Sequence, residues 1–358
     1  MNNSTAPTPK MINLALQGGG AHGAFTWGVL DGLLEDGRVA IDGLSATSAG
    51  AMNAVVYSYG MMMGGRDGAR QALHDFWYDV SQISIPAPLR KAVAPFTTRP
   101  LMALLGGMQT QLYEYGFSMF ENFTETFSPY QFNPFNYNPL RDMLLEHVDF
   151  DRLYSCDCVK LFISATNVKN NRIKIFSNKN VTVDAVMASA CLPMLFQAVE
   201  IEGEYYWDGG YVGNPALYPL FYETSTDDMV VVHINPIERD EVPIRPYEIL
   251  NRVNEISFNS SLLREFRAIA FIQKMLEEGW IKDEFRSQIT HKQFYMHAIR
   301  ADEIMKNYSI SSKFTPNWAF LEELKNDGRA VAKMWLDKNF DAIGKRSTLD
   351  IRQEYLKD

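Results

Sequence analysis

LALQGGGAHGAF, residues 14–25, is the stretch on which the fold turns. The apolar run MINLAL, residues 11–16, is too short for a helix and stops abruptly at three glycines, which predicts a buried strand. After Gly18-Gly19-Gly20-Ala21-His22-Gly23, the segment 24–35 (AFTWGVLDGLLE) carries apolar residues near helical spacing and stops at Asp36-Gly37. A glycine turn between strand and helix gathers backbone N–H groups that can cradle an anion. The spacing Gly18-x-Gly20-x-x-Gly23 fits the pyrophosphate of a dinucleotide. It fits equally the oxyanion formed when a nucleophile attacks an ester. The loop by itself leaves both readings open.

The next segment separates them. A second strand is expected over 41–47, a small-residue helix over 49–63 closed by Gly64-Gly65, and a third helix over 67–82 with Asp67 as N-cap. Strand, helix, strand, helix with short joints is the opening of a parallel α/β sheet. Where the second strand meets its helix, SATSAGAMNA (45–54) places Ser48 at the tip of the turn. Ala46, Thr47, Ala49 and Gly50 surround it in the manner of the G-x-S-x-G elbow, with alanine in the first glycine position. A dinucleotide site asks for an acidic side chain here, and Asp42 lies at the other end of the strand. The oxyanion reading leads.

A nucleophilic serine needs a base. Six histidines are available: His22 in the glycine loop, His74 and His147 on helices, His233 and His297 in apolar strands, and His291 in a charged stretch. None follows a late strand in the order Ser, Asp, His. The better candidate is Asp208, which ends a strand in EYYWDGGYVGNPAL (204–217) and is followed by Gly209-Gly210. Standing alone, Asp-Gly-Gly would read as a structural turn.

Taken in order, the glycine loop, the Ser48 elbow and Asp208-Gly209-Gly210 resemble the motifs of the patatin-like phospholipases. The stretch Ala188 to Leu217 is similar to that family's approach to its aspartate, and the resemblance spans roughly residues 11–235. It implies a three-layer α/β fold with a mostly parallel central sheet flanked by helices. It also implies a Ser48–Asp208 catalytic dyad working through an acyl-enzyme, with Gly18, Gly19 and Gly20 as the oxyanion hole, and no metal or other cofactor. Phospholipase A or lysophospholipase action on a phospholipid or other lipid ester follows. The same dyad would serve an acyltransferase, a thioesterase or a soluble carboxylesterase, and a non-catalytic lipid-binding protein is a remote alternative. Two positions depart from the family pattern. His22 stands where an Arg or Lys is usual, which replaces a fixed charge with one that depends on pH near 6.5. Ala46 is the other.

Between the second and third motifs the composition shifts. From about residue 84 to 137 the chain is rich in proline and aromatics, and ten of the twenty-five residues from Tyr113 to Tyr137 are Phe or Tyr. Phe117, Phe120, Phe123, Phe127, Tyr130, Phe132 and Phe135 are expected to line an acyl groove or form a lid, unless they build a second core cluster. Arg90, Lys91 and Arg99 are candidates to meet phosphate headgroups. The sheet pattern resumes at 160–167, with an Asn170-Asn171 hairpin turn, and at 229–234. Beyond Pro236 the chain reads as a mainly helical extension, residues 236–358, with one strand over 293–299. Residues 1–10 read as a disordered tail.

A net charge of -9 excludes nucleic acid as the principal partner and gives no general attraction to anionic membranes. Membrane contact is therefore expected to be peripheral, local and apolar. Cys156, Cys158 and Cys191 form no disulfide framework or zinc spacing. The polar start MNNSTAPTPK lacks an apolar leader, and no run of about 18 apolar residues occurs, so a cytoplasmic protein is expected.

Overall fold

The computed structural model describes residues 8–83, 126–153, 159–280, 294–308, 310–314 and 316–357. The first strand, β1 (Lys10–Leu16), is buried from Ile12 onward on both faces, as expected of a strand covered by helices on either side. Alternate residues feed two separate cores. Leu14 and Leu16 of β1 join Val230 and Val232 of β7 (Asp228–His233) in one, while Ala15, Met229 and Val231 face the other. Period-two alternation onto two apolar layers makes the three-layer α/β fold that the resemblance implied.

Among the described residues the sheet has eight strands. Its path runs β5 (Val199–Ile201), β6 (Glu204–Asp208), β3 (Lys160–Asn167), β2 (Val39–Ala46), β1, β7 and β8 (Tyr295–Arg300), with β4 (Ile173–Ser177) paired to β3. The pairs β3–β2, β2–β1, β1–β7 and β7–β8 are parallel, and the hairpin pairs at the β3 end are antiparallel. Asp42, a polar residue in β2, accepts from the Ser225 amide and hydroxyl, both at 2.6 Å, and so pins the loop before β7.

On one face lie α1 (Gly23–Asp36), α2 (Ala49–Gln82), α3 (Pro139–His147) and α4 (Val183–Ser189). Thr182 caps α4, accepting from Ala185 N at 3.1 Å. The two helices expected over 49–82 are one helical stretch broken at Gly64 and Gly65, where Gly65 has φ +61. Asp67 therefore falls within the first turn after the break, because Gly65 already supplies the non-helical residue that a cap would occupy. The opposite face carries α5 (Pro246–Glu277), whose Leu262, Phe266 and Ile269 pack on Phe162, Met229 and Val231.

The strand expected over 293–299 is β8, which pairs with β7 from Asp228↔Tyr295 to His233↔Arg300. The last long helix, α6 (Trp318–Asn339), packs against α1. Residues beyond 236 thus extend the sheet by a strand and add to both covering layers. No helix among the described residues is long and apolar enough to cross a membrane.

Candidate active site

Strand register brings Ser48 and Asp208 together. Ile163 of β3 pairs with Ala46 on one side and Phe176 on the other, while Ala165 pairs with Lys174 and Asp208. Because β4 holds one edge of β3 throughout, β2 and β6 must share the opposite edge. They meet there head-on: β2 ends opposite Ile163 and β6 ends opposite Ala165, about 7 Å further along. Each strand leaves the sheet by a turn of small residues at that gap.

The turn after β2 carries Ser48 at φ 55 and ψ -124, a left-handed conformation that serine rarely adopts. α2 begins at Ala49, so Ser48 stands at a helix N-terminus. Thr47 N donates to Leu16 O at 3.3 Å, Thr47 Oγ1 to Gly213 O at 2.7 Å, and Ser48 N to Ser189 Oγ at 2.9 Å. Gly50 leaves no room for a side chain, since a Cβ would lie 2.5 Å from Leu16 O. Ala46 fits in the first elbow position, fully buried in β2.

The turn after β6 is equally fixed. Asp208 is fully buried; its amide donates to Cys191 O at 2.8 Å, and its Oδ1 accepts from Gly210 N at 2.7 Å. Asp208 Oδ2 has no hydrogen-bond partner among the described residues. Burial pushes the carboxyl up to about 7, against the opposing pull of Gly210 N–H, the Ser48 hydroxyl and the Lys313 charge. The Ser48 hydroxyl lies close enough to favour the ionised carboxyl without closing a regular hydrogen bond.

The glycine loop closes the third side. A Cβ on Gly18 would lie 2.7 Å from Ser48 Cβ, so only glycine lets the loop pass over the elbow. Gly18 N donates to Asn214 Oδ1 at 2.7 Å. Asn235 Nδ2 donates to Gly18 O at 2.8 Å, and Gln17 Oε1 accepts from the amides of Ile234 and Asn235 at 2.9 and 3.1 Å. Asn259 of α5 completes this buried amide network, donating to Asn235 O and Pro236 O at 3.1 Å each. At the far end of the loop, Asn53 of α2 donates to Gly23 O and accepts from Trp77 Nε1, both at 2.9 Å.

Gln17, Asn53, Asn214, Asn235 and Asn259 carried no motif signal. The two Asn-Pro pairs, 214–215 and 235–236, directly follow the Asp208 turn and β7 and were the available hint.

His22 departs from expectation. It is buried, 2.6 Å from Ser312 Oγ through Nε2 and beside the rings of Tyr308 and Phe320. Burial first, then the charges of Lys313 and Arg239, holds its pKa well below 6.5, so it is neutral at neutral pH rather than titrating there. His147 accompanies Asp79 at 2.8 Å and His297 accompanies Asp228 at 3.0 Å, in pairings remote in sequence from the elbow. His291 lies outside the described residues.

Of the aromatic segment, Phe117, Phe120 and Phe123 lie outside the described residues, as do Arg90, Lys91 and Arg99. Phe127 and Phe135 are exposed, Phe135 at 95%. A cavity of ≈ 380 Å³ borders this region, and Tyr130 lines it with Met187, Cys191, Phe196 and Tyr205, without Phe127, Phe132 or Phe135. Cys191 is a buried free thiol whose pKa burial pushes up to about 12; Cys156 and Cys158 lie outside the described residues. Among the described residues, no group of three or more His, Cys, Asp or Glu is placed to hold a metal ion.

A family model described as patatin-like phospholipase matches residues 14–221, more than half of the chain. VipD from Legionella pneumophila is similar at 17% identity, over 92% of this chain and 67% of that one, with a TM-score of 0.44. A chain of the ExoU–SpcU complex from the type III secretion system of Pseudomonas aeruginosa is similar at 19% identity and a TM-score of 0.30. That alignment covers 71% of this chain and 51% of the other, so this chain spans about half the length of its counterpart there. No curated protein matches. The matched span takes in the glycine loop, the serine elbow and the Asp-Gly-Gly turn, and the chain belongs to the patatin-like phospholipases, a family of lipid ester hydrolases.

Proposed function

We propose that this protein hydrolyses carboxylic esters of phospholipids or lysophospholipids through a Ser48–Asp208 dyad. The observation that carries the reading is the head-on meeting of β2 and β6, which sets a strained serine beside a buried, unpartnered carboxylate oxygen. Asp208 takes the Ser48 proton as Oγ attacks the carbonyl, and returns it to the alcohol oxygen as the ester C–O bond breaks and the alcohol departs, leaving an acyl-enzyme. Water, activated by the same carboxylate, then releases the fatty acid. A carboxyl pushed up to about 7 is a far better base at neutral pH than one at the ordinary value near 3.9.

The developing oxyanion falls to the glycine loop and the N-terminus of α2. Gly18 N is already committed to Asn214, so in this reading the Gly19 and Gly20 amides receive the charge while Gly18 gives clearance over Ser48. One lost donor of this kind typically costs about a hundred- to a thousandfold in rate.

The test is fatty-acid release from mixed phosphatidylcholine and phosphatidylglycerol vesicles by wild type, Ser48→Ala and Asp208→Asn. Both variants should remain folded and fall at least about a thousandfold. Activity surviving in Asp208→Asn would remove it as the base. Hydrolysis of short soluble esters without release from vesicles would keep the dyad and discard the lipid substrate.

A further inference from the structure

Lys313 belongs to none of the three motifs, yet it reaches the glycine loop, and its charge is felt at Asp208. It sits in a 3₁₀ turn, Ile310–Phe314, which lies against the turn Gly20–His22. Gly20 has φ +59, and a Cβ there would lie 2.4 Å from Lys313 O, so the two backbones close directly on each other. The Lys313 ammonium donates to Asn235 Oδ1 at 2.9 Å and Asn254 Oδ1 at 3.0 Å, 5.5 Å from the Phe258 ring centroid. Asn235 in turn holds Gly18 O. One side chain thereby grips the loop at Gly18 through an asparagine, while its own backbone packs on Gly20.

The charged groups around this ammonium are few. Its charge interacts with Asp208 of β6, Glu255 of α5, Arg239 of the loop after β7 and His22 of the glycine loop. Glu255 is already paired with Arg239 and with Arg252, the latter at 3.1 Å. His22 is neutral, and Tyr308 beside it is a phenol held up at about 12. Among the described residues, Asp208 is therefore the acid left for Lys313 to act on.

We infer, on the footing of the Ser48–Asp208 reading, that Lys313 is a positioning residue of the reaction. It supplies beside the glycine loop the positive charge that position 22 lacks, and it fixes that loop through Asn235. The cation favours carboxylate over carboxylic acid at Asp208 and adds a favourable field at the oxyanion. Burial pushes Lys313 itself down to about 8, so the wild-type protein loses this charge just above neutrality.

A pH series distinguishes this role from a merely structural one. The probe is a fluorophosphonate that phosphonylates a reactive serine, applied to the full chain from pH 5 to 10, with Ser48→Ala as control and melting curves for every variant. Wild type should label Ser48 with a rate that rises near pH 7 and declines above about pH 8. Lys313→Met should be about tenfold slower near pH 6 and about threefold slower near pH 7.5, and should converge with wild type by pH 10, one pKa unit at Asp208 being a tenfold effect below both values. Lys313→Arg, charged throughout, should keep its rate above pH 8 and overtake wild type at pH 9. A Lys313→Met profile with the wild-type shape, whether equal or uniformly lowered, overturns the inference. If that variant does not fold, matching alkaline limbs in wild type and Lys313→Arg overturn it. Failure of wild type to label at any pH would instead sink the Ser48–Asp208 reading, and this inference with it.

Discussion

At the scale of single residues, the site keeps a carboxylate where burial disfavours it. Asp208 is pushed up to about 7, so its folded value lies above its unfolded one. The linked stability is fully present below about pH 3.8 and is lost as pH rises through 7. Asp208→Asn has no charge to bury and escapes that loss. We expect it to melt above wild type at pH 8 by the equivalent of about 2 kcal/mol, less than the ~4 kcal/mol of a full three-unit shift because the new amide also lacks a partner. At pH 4, where wild type is neutral at this position, only the amide's penalty remains and the variant should melt below wild type by the equivalent of about 2 kcal/mol. Melting curves at the two pH values check this, and a less stable variant at pH 8 would mean the carboxylate is adequately solvated in place. The turns that carry Ser48 and Asp208 were legible in the sequence because they are local, built from small residues within a few positions. The state of His22 was not, since the groups that bury it, among them Ser312 and Phe320, lie about three hundred positions along the chain.

Among elements, the contact of α1 with α6 shows how far a local reading reaches. α1 was legible from apolar spacing and its stop at Asp36-Gly37, and α6 as part of a mainly helical extension, where the Asn317 side chain caps it by accepting from Phe320 N at 3.4 Å. What their glycines do was not legible. A Cβ on Gly28 would lie 2.0 Å from Lys325 O, and one on Gly328 would lie 2.1 Å from Phe25 O. The helices cross backbone to backbone, and carbonyls cannot rotate out of the way as flexible side-chain ends do. Gly328→Leu should therefore cost about 3 kcal/mol or more, at the upper end of ordinary overpacking. Gly64→Ala makes a fair control, because nothing lies within 4 Å of a Cβ there and its φ is negative. Denaturant unfolding of the two variants is the measurement. Equal, small losses would show that α6 shifts freely over α1. The same limit governs β8: a strand was expected over 293–299, but only pairing with β7 places it in the sheet.

Across the whole molecule, the family match ends at residue 221 while the site draws on residues up to 313. Asn259 and Lys313 anchor the glycine loop from beyond the matched span, and β8 covers the β7 edge over six residue pairs. In the first core, Leu321, Leu324, Trp335 and Leu336 of α6 are buried with Phe25 and Leu30 of α1. Stripping four such side chains from their partners forfeits roughly 8 kcal/mol at about 2 kcal/mol each. Whole domains are typically stable by about 5 to 15 kcal/mol. Further losses follow at Lys10, whose ammonium donates to Phe340 O and Ile343 O at 2.7 and 3.0 Å, and at the freed strand edge. A chain cut after Pro236 is therefore expected to lose cooperative folding and to aggregate through β7, although it keeps all three motifs. Circular dichroism melts and fluorophosphonate labelling of the 1–236 fragment beside the full chain test this. A soluble fragment that melts cooperatively and labels at Ser48 would show that the matched span folds and assembles its site without the residues beyond it. A fragment that neither melts nor labels would put the C-terminal third inside the hydrolase rather than beside it.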